Sequence, residues 1–166
     1  MSRFIDFLSQ YGPSAATDAL VDEHAPVLIK EFGVSAPIEI APPRLQVIKS
    51  ALLGPDPRTV VLTGTAGDGK TFHVRKFFLD LAGDTAAAHA AWAEAADREG
   101  IIDWDLPSGR KLRIIRDVSA LPAKMKLGEI HAAAATMCSP DNGTIFLMAA
   151  NDGQLLDSFA AAAACC

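Results

Sequence analysis

Apolar residues recur with a helical period at Leu45, Ile48, Leu52 and Leu53, and then give way to the short apolar run Val60-Val61-Leu62. The spacing predicts a helix over 44–53 followed by a buried strand. A second helical stripe, Phe72, Val74, Phe77, Phe78 and Leu81, ends near Gly83. The alanine-rich stretch 85–97, with Trp92 inside it, predicts a further helix because alanine has the highest helix propensity. Two strand patterns follow, Ile101-Ile102-Asp103-Trp104 and Lys111-Leu112-Arg113-Ile114-Ile115-Arg116, separated by the turn signal Leu106-Pro107-Ser108-Gly109. Residues 120–138 read as helix, and Thr144-Ile145-Phe146-Leu147-Met148-Ala149-Ala150 is the most apolar strand in the chain. Residues 154–164 read as a closing helix.

Strands interleaved with helices around a buried apolar strand predict an α/β fold, a three-layer α/β/α sandwich with a mostly parallel sheet. Ahead of it, short helical patterns at Phe4, Ile5 and Leu8 and over 20–32 give an N-terminal helical lead-in, 1–40, before a core at 41–166. Prolines 37, 42, 43, 55 and 57 punctuate the passage between the two.

The chemistry is concentrated at Gly64-Thr65-Ala66-Gly67-Asp68-Gly69-Lys70-Thr71, which fits every fixed position of the phosphate-binding pattern G-x-x-x-x-G-K-[ST]. It sits between a strand and a helix, the context the motif requires. Glycines allow successive backbone N–H groups to turn inward on a phosphate, and the helix behind them directs its positive end at the same anion. Lys70 is placed to reach the β- and γ-phosphates, and the Thr71 hydroxyl to ligate Mg²⁺. Residues 64–71 together with Phe72 are therefore the expected nucleotide-binding set. Within it Asp68 is expected to point outward, since an inward carboxylate would repel phosphate. The helix at 44–53 is close enough in sequence to pack over the base.

Composition narrows the picture without changing it. The 166 residues carry a net charge of −5, which argues against an autonomous nucleic-acid binder. Arg110, Lys111, Arg113 and Arg116, with Lys124 and Lys126 beyond them, form one local basic group. It is read as a solvated strand edge, leaving DNA contact weak or indirect. No apolar stretch approaches the length of a membrane helix, and a cytoplasmic location is expected. Cys138, Cys165 and Cys166 lack zinc-site spacing, and the four histidines are scattered, so they are read as surface or packing residues.

A phosphate loop that serves hydrolysis needs an acidic group on a neighbouring strand end. Asp117, directly after the strand 111–116, is the leading candidate, with a helix N-cap as its alternative role. Val118 stands beside it, so no general base is evident. At the end of the apolar strand, Asn151 is placed to hydrogen-bond a γ-phosphate or orient water, and Asp152 is the alternative magnesium ligand. Asp103 and Asp105 read as hairpin surface residues.

In this order, the segments 63–71, 114–119 and 149–155 resemble the Walker A, Walker B and sensor-1 elements of AAA+ and STAND-type ATPases. More narrowly, they resemble the ATP-binding component of DNA phosphorothioation-dependent restriction systems, of the DptF kind. The resemblance covers about 40–157 and implies ATP and Mg²⁺ as ligands. Lys70, Asp117 and Asn151 are the implied catalytic residues, and Thr71 and Asp117 hold the metal. It implies protein partners in a restriction or defence complex, leaves a homo-oligomer open, and places the chain's end before the helical lid of such ATPases. A truncated product with weak nucleotide retention is the corresponding expectation. A nucleotide-sensing module without hydrolysis and a small-molecule or nucleoside kinase are the alternatives that share the loop.

Overall fold

The computed structural model describes residues 5–6, 31–33, 41–65, 67–138, 143–153 and 155–156. The chain divides into two compact units, Met1–Ala41 and Pro42–Cys166. In the first, Ile5, Asp6, Glu31 and Phe32 are helical. The rest of the predicted helices near Phe4 and over 20–32 lies outside the described residues, as does most of the predicted closing helix at 154–164.

The second unit is built from four α-helices and four strands among the described residues. Helix α1 (Leu45–Leu53) buries Ile48 and Leu52, four residues apart on one face. Strand β1 (Val60–Leu62) leads through the glycine-rich loop into α2 (Lys70–Ala82), which buries Val74, Phe77, Phe78 and Leu79. Helix α3 (Ala86–Asp97) starts where Thr85 accepts a hydrogen bond from the Ala88 N–H at 3.2 Å, a side-chain N-cap. Strands β2 (Ile101–Asp105) and β3 (Lys111–Ile115) follow, and then a short 3₁₀ turn (Val118–Ala120), α4 (Ala123–Cys138) and β4 (Thr144–Ala149).

The strands form one open sheet in the order β1-β4-β3-β2. Strand β4 runs parallel to both β1 and β3, whereas β2 pairs antiparallel with β3. The antiparallel pair follows from its connection. Leu106 and Arg110 close a tight turn through Leu106 N–H to Arg110 O at 2.9 Å, far too short for the crossover that a parallel neighbour needs.

Alternate residues of β3 and β4 serve two separate apolar clusters, as strand periodicity requires. Leu112, Ile114, Ile145, Leu147 and Ala149 join side chains of α1, α2 and α3 in one. Ile115, Phe146, Met148 and Ala150 join Val118, Leu121 and the α4 residues Ile130 and Ala133 in the other. The first cluster holds an aromatic set in which Phe78 stacks on Trp92 and meets the edge of Trp104. At the foot of the sheet, Thr59 Oγ1 accepts the Phe146 N–H at 3.1 Å and pairs with Thr136 Oγ1 at 2.5 Å, tying the start of β1 to β4 and α4.

The basic group does not line a sheet edge, which corrects the sequence reading. Strand β3 is interior, flanked by β4 and β2. Arg113 is tolerated there because it is paired: it stands opposite Asp103 in the β2 register and donates to both carboxylate oxygens, at 2.7 and 2.8 Å. It also reaches Glu129 of α4 at 3.0 Å. Arg116 donates to the Trp92 carbonyl at 3.1 Å and lies over that ring, so its charge is likewise used in packing.

The hydrogen bond from Arg113, and secondarily its charge and that of Lys111, holds the Asp103 carboxyl below its ordinary value of 3.8 despite partial burial. The same pairing pushes Arg113 upward. A depressed acid stabilises the fold fully above its unfolded value. The Asp103 contribution is therefore present above pH 3.8 and lost as the pH falls below it, and because Asp103 is half exposed it amounts to about 1 kcal/mol at most. Arg113→Ala is expected to cost more, about 2–3 kcal/mol in urea unfolding at neutral pH. It strands Glu129, whose side chain is 13% exposed and whose Oε2 is buried without a hydrogen-bond partner among the described residues.

Candidate functional site

The parallel register aligns three strand ends. Val61, Met148 and Ile115 share one level across β1, β4 and β3. Ala150 N–H bonds to Leu62 O at 3.0 Å and extends the ladder one step beyond the strands. Thr63, Ala150 and Asp117 therefore emerge together at the carboxyl edge of the sheet, where open α/β sheets bind ligands.

From that edge the chain enters the glycine-rich loop, of which Ala66 is outside the described residues. Gly69 is the N-cap of α2 and has φ 72°, a left-handed conformation that glycine adopts without strain. Among the described residues no side chain caps this end, and the first turn of α2 carries no acid. The first intrahelical bond is His73 N–H to Gly69 O at 3.0 Å, which leaves the N–H groups of Lys70, Thr71 and Phe72 without helical acceptors. Gly64 has φ 145°, and a Cβ there would lie 2.5 Å from Asp68 Oδ2.

Asp68 is exposed, and its carboxylate turns back onto the loop. Its Oδ2 accepts the Thr65 N–H at 2.6 Å and the Thr65 hydroxyl at 3.1 Å, while its own N–H donates to Thr65 O at 3.4 Å. The carboxylate folds back because these local donors would otherwise lack acceptors within the loop. Lys70 Nζ donates to Thr65 O at 2.6 Å and to Gly64 O at 3.3 Å, so the ammonium lies across the loop.

A cleft of about 400 Å³ opens beside these groups. Pro43 and Arg44, at the N-terminal end of α1, form one side, and Thr63, Asp68, Lys70 and His73 another. This volume lies within the usual range for small-ligand sites. The sequence reads His73 as a surface or packing residue. It follows Lys70 by one helical turn, a spacing that puts both on one face and is the signal that points to it. Its Nδ1 is 2.8 Å from Gly69 O and donates there, while Nε2 is buried without a hydrogen-bond partner among the described residues.

The acidic candidates are arranged less uniformly. Asp117 Oδ1 accepts the Ser119 N–H at 2.7 Å, so it caps the 3₁₀ turn, the alternative role foreseen for it. It stands two strand spacings, about 10 Å, from the Thr63 level of β1. Val118 is fully buried in the α4-side cluster. Asn151 is half-buried, and its carbonyl accepts the Leu155 N–H at 3.1 Å; Asp152 is exposed. The sheet order places the Asn151 strand directly beside the loop strand, and the Asp117 strand one position farther.

Mg²⁺ at a phosphate site keeps much of its shell from water and phosphate and takes only one or two protein donors. A hydroxyl at Thr71, in the first turn of α2, and a strand-end carboxylate are a donor set of that kind. Among the described residues no helix is long and apolar enough to cross a membrane. No family model, curated protein or solved structure matches the chain.

Gly64→Ala tests the loop geometry. The variant is expected to fold, with a loss of about 1–2 kcal/mol, because the change falls outside helices and strands. It should displace Asp68 from Thr65, and amide exchange of the Thr65 N–H measured by NMR should accelerate.

Proposed function

We propose that this chain is a three-layer α/β/α P-loop domain that binds ATP together with Mg²⁺. The observation that carries the reading is the left-handed Gly69 N-cap, followed by an uncapped helix start that opens beside Lys70 and the cleft. Three consecutive N–H groups and the helix dipole favour an anion at that position. Lys70 exchanges the carbonyls of Gly64 and Thr65 for phosphate oxygens, a stronger acceptor for an ammonium. Thr71 and Asp117 are the proposed protein donors to Mg²⁺, with Asp152 as the alternative acid. The metal, when bound, neutralises phosphate charge. Pro43 and Arg44 provide a wall for the nucleoside, which accords with the position of α1 in the chain.

Hydrolysis would place Asn151 where it orients water at the γ-phosphate, since its strand adjoins the loop strand. The burial of Val118 favours a second reading, a nucleotide-responsive module with little turnover, because no base stands next to Asp117. The resemblance of the three motif segments to ATP-binding components of restriction systems supports a role in a DNA-directed defence complex. The net charge of −5 favours contact with protein partners over direct DNA binding.

Lys70→Ala should weaken ATP binding by about tenfold to a hundredfold in calorimetric titration, the loss expected for a charged hydrogen-bonding partner. Unchanged affinity would overturn the assignment. Phosphate release measured with and without DNA distinguishes the two readings: sustained turnover supports the ATPase, and nucleotide binding without release supports the sensor.

A further inference from the structure

Asp68, an exposed residue, holds a negative charge against the loop that is read as binding a polyanion. It is held there by two acceptor bonds from Thr65 and by the turn bond from its own N–H. It lines the same cleft as Lys70 and His73. The Lys70 ammonium is directed to the Gly64 and Thr65 carbonyls. Thr65 is thus the hub of the loop, with its N–H, hydroxyl and carbonyl all engaged. A carboxylate fixed in this way cannot rotate clear of an incoming phosphate without giving up the bonds that shape the loop.

We infer that Asp68 determines which form of a nucleotide the loop accepts, admitting a polyphosphate complexed with a divalent cation and disfavouring the metal-free polyphosphate. The inference rests on the ATP-binding reading above. Its physical basis is Coulombic: a bound divalent cation removes two negative charges from the ligand that faces the carboxylate, and charges a few ångströms apart at a partly solvated site interact appreciably.

The test titrates ATP into the full chain by calorimetry, once with excess Mg²⁺ and once with EDTA, for wild type, Asp68→Asn and Asp68→Ala. Thermal unfolding establishes that each variant is folded. Asp68→Asn keeps an acceptor for Thr65 and removes the charge. It should tighten metal-free ATP by about tenfold and change Mg²⁺–ATP by less than about threefold. Asp68→Ala, which also removes the Thr65 bonds, should show the same narrowed ratio between the two conditions even if both affinities fall. An unchanged ratio in both variants overturns the role of Asp68 while leaving ATP binding intact. A selective loss of Mg²⁺–ATP affinity in Asp68→Asn overturns it as well, by showing that the carboxylate attracts the cation complex. Absence of ATP binding to wild type in either condition refutes the nucleotide reading, and the inference with it.

Discussion

The site depends on the register of β4. This strand is parallel to β1 on one side and to β3 on the other, and five of its six residues are buried. Because it serves both apolar clusters, a shift by one residue would exchange its two faces and empty Ile145, Leu147 and Ala149 from one cluster and Phe146 and Met148 from the other. That penalty fixes the level at which β1 and β3 end. The placement of the glycine-rich loop, Asp117 and Asn151 along one edge is a consequence of apolar packing in the interior of the sheet.

The loop itself is governed by local chemistry. Glycines at 64 and 69 allow backbone directions that place the α2 start at the cleft, and no acid stands in the first turn of that helix. The remaining polar groups pair with one another through Thr65, Asp68 and Lys70. Glu129 and Arg113 show the contrasting arrangement, in which charges beneath the hairpin are neutralised across three elements and hold β2, β3 and α4 together.

The elements of the core were legible where the signal was local. The i, i+4 pair Ile48 and Leu52, the Thr85 cap before an alanine run and the unbroken apolar segment at 144–149 each appear in the structure as helix or strand near the expected limits. The glycine-rich loop between strand and helix was legible for the same reason. What sequence alone did not reveal depends on partners remote in the chain or on side-chain direction. Arg113 looked like an edge residue because Glu129, sixteen positions later, returns to it only through α4. Asp68 is exposed yet turned back on the loop because the Thr65 N–H and hydroxyl take it as acceptor, a demand that no spacing in the sequence signals. His73 is held by Gly69 at the start of its own helix, but the cleft it lines exists only with Pro43 and Arg44 opposite, some thirty residues earlier in the chain.

The chain contains two tryptophans, and both meet Phe78, about two helical turns along α2 from Lys70. Trp92 also carries Arg116 over its ring, directly before Asp117. The helix that begins at the glycine-rich loop therefore packs its ninth residue against the protein's own fluorophore pair. Any tilt of that helix changes the light the protein emits, which gives the loop an optical reporter without added label.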